Sequence, residues 1–228
     1  MIKFDRWFLP DGETHLQAWM TSQQQRRDGR LTYQLRKYEA ALRHCRQRRR
    51  AVDVGAHVGL WSYWMAKDFQ DLLAFEPKRA HRECWRANMN GRGGTLLAVA
   101  LGTRTGLVSM LTGPSSSGDT YVRPDGDTSE STEVATLMTL DEFVLTELDL
   151  LKIDCEGYEL FVVQGARETI LREQPVIIVE QKPGHGAKYG IGDLDAVAYL
   201  RTLGYAEVET INGDVIMVPA VRTDKEPA

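Results

Sequence analysis

An α/β protein built on a mostly parallel sheet is predicted by three features of the 228-residue sequence. From residue 50 onward, apolar runs of strand length alternate with helical patterns, as expected of a sheet covered on both faces. The apolar strand Ala51-Val52-Asp53-Val54 ends on a turn, Gly55-Ala56-His57-Val58-Gly59, that leads into a helix. Such a turn lets a ligand approach the backbone, and the new helix offers it unpaired N–H groups. Near the C-terminus, Ile211-Asn212-Gly213-Asp214 is too short for a crossover and makes a hairpin turn, so one strand at that end runs antiparallel.

Taken in order, residues 13–27 and 31–48 are expected to be helical, separated by the turn signal Asp28-Gly29-Arg30. In the second of these, Leu31, Leu35, Tyr38, Leu42 and Cys45 recur at three- and four-residue steps and form one apolar stripe. Arg36, Lys37, Arg43 and Arg46 lie opposite. Strands are predicted near 51–55, 71–75, 95–99, 149–153, 175–180, 204–209 and 214–218, and helices near 58–67, 78–90, 158–172 and 193–202. Short strands are read at 107–111 and 133–137, around a long polar loop, 113–132, of the kind that is functional or disordered in compact domains. The division expected is a basic helical extension, 1–49, followed by one domain, 50–228.

Composition narrows the class. Three widely spaced cysteines without a CxxC suggest neither a disulfide framework nor a zinc site. The N-terminus lacks an apolar signal core and no run approaches a membrane span, so a cytoplasmic protein with no membrane partner is expected. The net charge of −4 divides into +7 over residues 1–50 and −11 over the rest. Either the two halves attract one another, or Arg43-His44-Cys45-Arg46-Gln47-Arg48-Arg49-Arg50 grips the phosphates of a nucleic acid.

The acidic residues stand at strand ends. Asp53 closes the first strand of the domain and Glu76 the second, about 20 residues after the glycine turn, where acids bind ribose hydroxyls in dinucleotide folds. The GxxxG spacing of Gly55 and Gly59, with Asp53 before it, suits a ligand offering a cation or hydroxyls better than a pyrophosphate. In Leu151-Lys152-Ile153-Asp154-Cys155-Glu156-Gly157-Tyr158-Glu159, three carboxylates within six residues repel one another unless a cation, a metal or a basic group balances them. Glu159 reads as a first-turn acid that stabilises its helix.

These segments, with Val99-Ala100-Leu101-Gly102, Thr139-Leu140-Asp141 and Val179-Glu180, resemble the FkbM family of S-adenosylmethionine-dependent methyltransferases over roughly residues 50–181. The resemblance implies a Rossmann-like class I methyltransferase fold with a seven-stranded sheet. It implies that Asp53, Gly55 and Gly59 hold the methionine end of the cofactor, that Glu76 takes the ribose, that Ala100 and Leu101 lie by the adenine, and that Asp154 sits near the transferred methyl. His57 stands where the family usually has asparagine, either as a substitute hydrogen-bonding group beside the cofactor or with a second role. Family members mostly methylate hydroxyls, often on sugars or natural products.

An alcohol is a poor nucleophile until it loses its proton or binds a metal. Candidates for that task are Asp154, Glu156, Glu180 and the loop histidine His185. Asp154 with Glu156 or Glu180 could instead hold Mg²⁺, so the metal question stays open. The loops 113–126 and 182–192, with Tyr121, Arg123, Lys188 and Tyr189, are expected to form the substrate rim. The function expected is O-methylation of a sugar or other small molecule. The alternatives are a nucleic-acid or nucleotide methyltransferase, and a non-catalytic module that binds S-adenosylmethionine.

Overall fold

The computed structural model describes residues 1–113 and 116–220; Pro114 and Ser115 of the predicted rim lie outside them. The chain opens with two small hairpins around a helix: β1 (Ile2–Phe4) and β2 (Trp7–Leu9), α1 (His15–Gln23), then β3 (Arg26–Arg27) and β4 (Arg30–Leu31). Helix α2 (Leu35–His44) follows. The sequence expects two helices about the turn at Asp28-Gly29; the structure keeps the turn but uses it to join β3 to β4. Pairing Arg26 with Leu31 shortens both helical runs, because these residues donate and accept across the hairpin instead.

The domain then alternates. It runs β5 (Arg50–Val54), α3 (Ser62–Asp68), β6 (Asp71–Phe75), α4 (Arg79–Asn88), β7 (Thr95–Leu97), β8 (Val99–Leu101), β9 (Gly106–Thr112), β10 (Thr120–Val122), β11 (Glu133–Met138) and β12 (Leu148–Ile153). It continues as α5 (Glu159–Gln164), α6 (Arg167–Glu173), β13 (Val176–Glu180), α7 (Asp195–Thr202), β14 (Tyr205–Ile211) and β15 (Asp214–Pro219). The predicted helix 158–172 divides into α5 and α6 because Asp141 accepts the N–H groups of Glu168 and Thr169 and starts a new helix there. The predicted strand 95–99 divides at Ala98, β7 joining the main sheet and β8 a second one.

The main sheet has seven strands in the order β14-β15-β13-β12-β5-β6-β7. All pairs are parallel except those of β15, which runs antiparallel between β13 and β14. The antiparallel strand is therefore the last in sequence among the described residues and the second in space. Four further strands, β10-β9-β11-β8, form a second sheet; β9 and β11 are the short strands expected at 107–111 and 133–137, while β10 falls within the expected polar loop.

The near-continuous apolar strands follow from two covered faces. Ala51, Leu72, Leu150, Ile178 and Ile216 pack in one core with Trp7, Met20 and Tyr38 of the first 49 residues. Val52, Leu151, Ile177 and Met217 pack in the other, with Val163 of α5 and Leu200 of α7. The first 49 residues thus cover one face of the sheet together with α3 and α4, which bring Trp64, Met65 and Trp85 to the same core. Lys37 of α2 fastens them further, its ammonium 2.6 Å from Asp214 Oδ1 with both side chains buried. No helix among the described residues is long and apolar enough to cross a membrane.

Candidate active site

Strand order reverses between β5 and β12, and the carboxyl ends of those strands open on a crevice, as open α/β sheets dictate. A cavity of about 430 Å³ lies there. Its floor is the glycine turn after β5. Gly55 has φ +74°, and a Cβ on it would stand 1.8 Å from the carbonyl oxygen of Asp154. Only glycine lets the two strand-end turns approach this closely. Gly59, at φ +87°, lies against Trp85 and does not line the cavity.

Glu76 ends β6 at one side of the cavity, nearly fully buried. Its Oε2 accepts the His57 N–H at 2.8 Å and its Oε1 the Lys78 N–H at 2.8 Å. His81 Nδ1 stands 3.3 Å from the same Oε1. Burial opposes the charge on Glu76, but His81 and these N–H groups outweigh it and hold the carboxyl below its ordinary range. Ala100 and Leu101 of β8, with Met110 and Val122 of the second sheet, make an apolar slot beside it. Such a slot suits a flat ring next to an acid that accepts hydroxyl hydrogens.

Charged groups gather at the other side. The parallel register sets Asp53 opposite Lys152, and the Lys152 ammonium lies 3.5 Å from both Asp53 Oδ1 and Asp154 Oδ2. Asp53 is fully buried and outside the cavity lining. Its Oδ2 accepts the Ser62 hydroxyl at 2.6 Å, while Oδ1 has no hydrogen bond. Burial works against Asp154's charge as well, but Lys152 and Lys182 hold it well below the usual carboxylate range. Glu180 lies beneath, buried, and burial together with Asp154 pushes it well above that range.

Asp154, Glu156 and Glu180 each bring a carboxylate oxygen to within 4.8 Å of the others. The cation that this cluster calls for comes from the chain itself. Lys182 Nζ donates to Glu156 Oε1 at 2.8 Å and stands 3.0 Å from Glu180 Oε2. Mg²⁺ is therefore not required to balance the three acids, and nothing else in the cluster favours it. Burial, then Asp154, push Glu156 up to about 7. His185 joins from the loop after β13, its Nδ1 3.0 Å from Glu156 Oε2, and burial and Lys182 lower its pKa. Glu159 opens α5 as expected, but its carboxylate accepts the N–H groups of Cys155 and Gly157, in the turn ahead of the helix, at 2.8 and 3.1 Å.

Of the residues singled out from sequence, Gly55, His57, Glu76, Ala100, Leu101, Asp154, Glu156 and His185 share the cavity wall, while Asp53, Gly59 and Glu180 lie behind it. On the rim, Lys188 covers the Tyr121 ring at 3.8 Å and Tyr189 donates to the Val122 carbonyl at 2.6 Å. Arg123 points away, to the Ser129 carbonyl. The sequence reading missed Lys152, Lys182, Tyr33 and Trp61, all in the wall. Lys152 carried a usable signal, since a lysine inside an apolar strand implies a buried partner. Tyr33 carried none.

The basic segment is largely engaged. Arg43 pairs with Glu209 at 2.8 Å, Arg49 with Asp149 at 2.6 Å and Arg50 with Asp71 at 2.7 Å.

Residues 53–206, more than half of the chain, match the Methyltransferase FkbM domain. The structure of a methyltransferase FkbM from Methylobacillus flagellatus is similar at 16% identity and a TM-score of 0.49, over 75% of this chain and 43% of that one. This chain thus spans less than half the length of that protein. A precorrin-6y C5,15-methyltransferase from Geobacter metallireducens is similar at 12% identity and a TM-score of 0.48, over 96% of each chain. A TehB-like S-adenosylmethionine-dependent methyltransferase from Corynebacterium glutamicum is similar at 11% identity and a TM-score of 0.44, over 90% of this chain and 93% of that one. No curated protein matches the sequence. The glycine turn, the strand-end acids and the matched domain together make this chain a member of the FkbM family of S-adenosylmethionine-dependent methyltransferases.

Proposed function

We propose that the chain methylates a hydroxyl oxygen of a sugar or other small molecule, with His185 as the general base. The observation that carries this is the His185–Glu156 pair on the cavity wall, 3.0 Å from Nδ1 to Oε2. When bound, S-adenosylmethionine supplies an electrophilic methyl group on a sulfonium. Glu76 would hold the ribose hydroxyls, and the Ala100–Leu101 slot the adenine. Asp154, kept ionised by Lys152 and Lys182, would face the cationic end.

His185 Nδ1 stands beside Glu156 Oε2 without a formed hydrogen bond; a turn of the ring that lets Nδ1–H donate to that carboxylate would leave Nε2 as an acceptor, as in other carboxylate–imidazole pairs that activate a hydroxyl. Burial and Lys182 keep the ring neutral at neutral pH, so it can take the proton of an acceptor hydroxyl. Trp61 and Tyr33 give that side of the cavity aromatic surface against which a small acceptor can lie. The use of Arg43, Arg49 and Arg50 in internal ion pairs favours a small acceptor over a nucleic acid.

The test is incubation with methyl-labelled S-adenosylmethionine and a panel of sugars, phenols, nucleotides and RNA. Label appearing as a methoxy group on a sugar or phenol, and lost in His185→Gln, is the expected result. Label on a nitrogen, or on RNA alone, overturns the proposal.

A further inference from the structure

His57 has φ +50° at the heart of the glycine turn, a backbone conformation that asparagine, aspartate and histidine adopt more readily than other side chains. Its N–H is spent on Glu76, and its ring meets His81 edge to face at 4.2 Å. Its Nε2 reaches 3.0 Å to the hydroxyl of Ser117, in the long loop between β9 and β10. Ser117 in turn donates its N–H to Glu13 Oε2 at 2.9 Å and its hydroxyl to the same oxygen. Glu13 also takes the Leu16 N–H at 2.8 Å, which starts α1.

The proton positions follow. Burial opposes the charge on Glu13, but the bonds from Ser117 and Leu16 outweigh it, so the carboxylate is ionised and can only accept. The single hydroxyl proton of Ser117 is therefore committed to Glu13, and His57 Nε2 must be the donor to Ser117 Oγ. This agrees with a ring held neutral by burial. The result is one path of donors from the glycine turn, through the loop, to the N-terminal segment. That loop supplies Gly118 and Asp119, and β10 after it Thr120, to the same wall as Glu76 and Ala100. Glu13 lies outside the matched residues 53–206.

We infer that His57 and Ser117 are positioning residues of the cofactor site, coupling residues 1–49 to the loop wall beside the adenosine end. The inference rests on the cofactor reading above. It is tested by a double-mutant cycle with S-adenosylmethionine binding as the readout, by calorimetry and stopped flow. His57→Asn keeps the backbone conformation but is too short to reach Ser117. Ser117→Ala breaks the same link from the other side.

Each single variant is expected to bind S-adenosylmethionine about three- to ten-fold more weakly, mostly through faster dissociation. The double variant is expected to be no weaker than the worse single, and Ser117→Thr, which keeps the hydroxyl, to regain affinity. Unchanged affinity in Ser117→Ala, or losses that multiply in the double variant, would overturn the coupling while leaving the cofactor assignment intact. If His57→Asn does not fold, the pair Ser117→Ala and Ser117→Thr decides alone. Absence of binding by the wild-type protein would overturn the cofactor reading and this inference with it.

Discussion

Replacing Gly55 by alanine probes the closest approach in the site, and a second glycine supplies the control. Gly55 and Gly91 have nearly the same backbone, φ +74° and +77°. At either, a side chain costs about 1–2 kcal/mol for the left-handed conformation. They differ in what a methyl group would meet: nothing within 4 Å at Gly91, but the Asp154 carbonyl at 1.8 Å for oxygen and 3.0 Å for carbon at Gly55. Against an ordinary separation of roughly 3.5 Å, the overlap at Gly55 is about 1.7 Å. It must be relieved by moving either the glycine turn or the β12 turn that carries Asp154, at a further cost of about 1–3 kcal/mol. Gly91→Ala should therefore lower the melting temperature by about 2–8 °C, and Gly55→Ala by about 2–12 °C more than that. Calorimetry with S-adenosylmethionine should give wild-type affinity for Gly91→Ala and at least about ten-fold weaker binding for Gly55→Ala. Wild-type affinity in Gly55→Ala would refute the reasoning, since it would mean that the two turns need not touch to form the site.

Three further outcomes follow from the charges. Lys37→Met leaves Asp214 buried without its ammonium and should cost about 3–5 kcal/mol at about pH 8. Burial already pushes Asp214 up to about 6, so the loss should shrink in melts at lower pH as the carboxyl takes up a proton; a loss independent of pH would contradict this. Glu156, pushed up to about 7 from 4.5 by burial and Asp154, favours the fold below about pH 4.5 and forfeits that contribution as pH rises through about 7. Glu156→Gln without cofactor should thus melt higher than wild type at about pH 8 and lose that advantage near pH 4.5, and the opposite trend would show Glu156 to be stabilised as an anion. His185→Gln should lower kcat by about a hundred-fold with little change in cofactor affinity, and an unaltered kcat would remove His185 as the base.

The main sheet was legible because its strands are buried on both faces, and burial writes itself into sequence as uninterrupted apolar runs such as Val176–Val179. The glycine turn and Glu76 were legible for the same local reason, since strand, turn and acid lie within about 25 residues of each other. The second sheet was legible only in part, through the strands read at 107–111 and 133–137. Thr120–Val122 was missed because it is only three residues long among Gly, Ser and Thr, so no periodicity marks it. The N-terminal hairpins failed for a similar reason, being two or three residues per strand.

Half of the site depended on contacts between distant segments. Asp154, Glu156 and Glu180 showed a need for positive charge, but nothing local named Lys182 as its source or paired His185 with Glu156. Asp53 was recognised as important from its place at the strand end, yet alternation turns it toward Lys152 and Ser62, away from the cavity. The chain from Glu13 through Ser117 to His57 joins residues 104 and 60 positions apart, and only the fold brings them together.

Titration of S-adenosylmethionine into the wild-type protein and Glu76→Gln tests the central claim most directly. Glu76 holds two backbone N–H groups and is the acid that should accept the ribose hydroxyls. The account predicts one site per chain, displaced by S-adenosylhomocysteine, with affinity at least about ten-fold weaker in the variant. No binding to the wild-type protein, or equal binding to both, would contradict it.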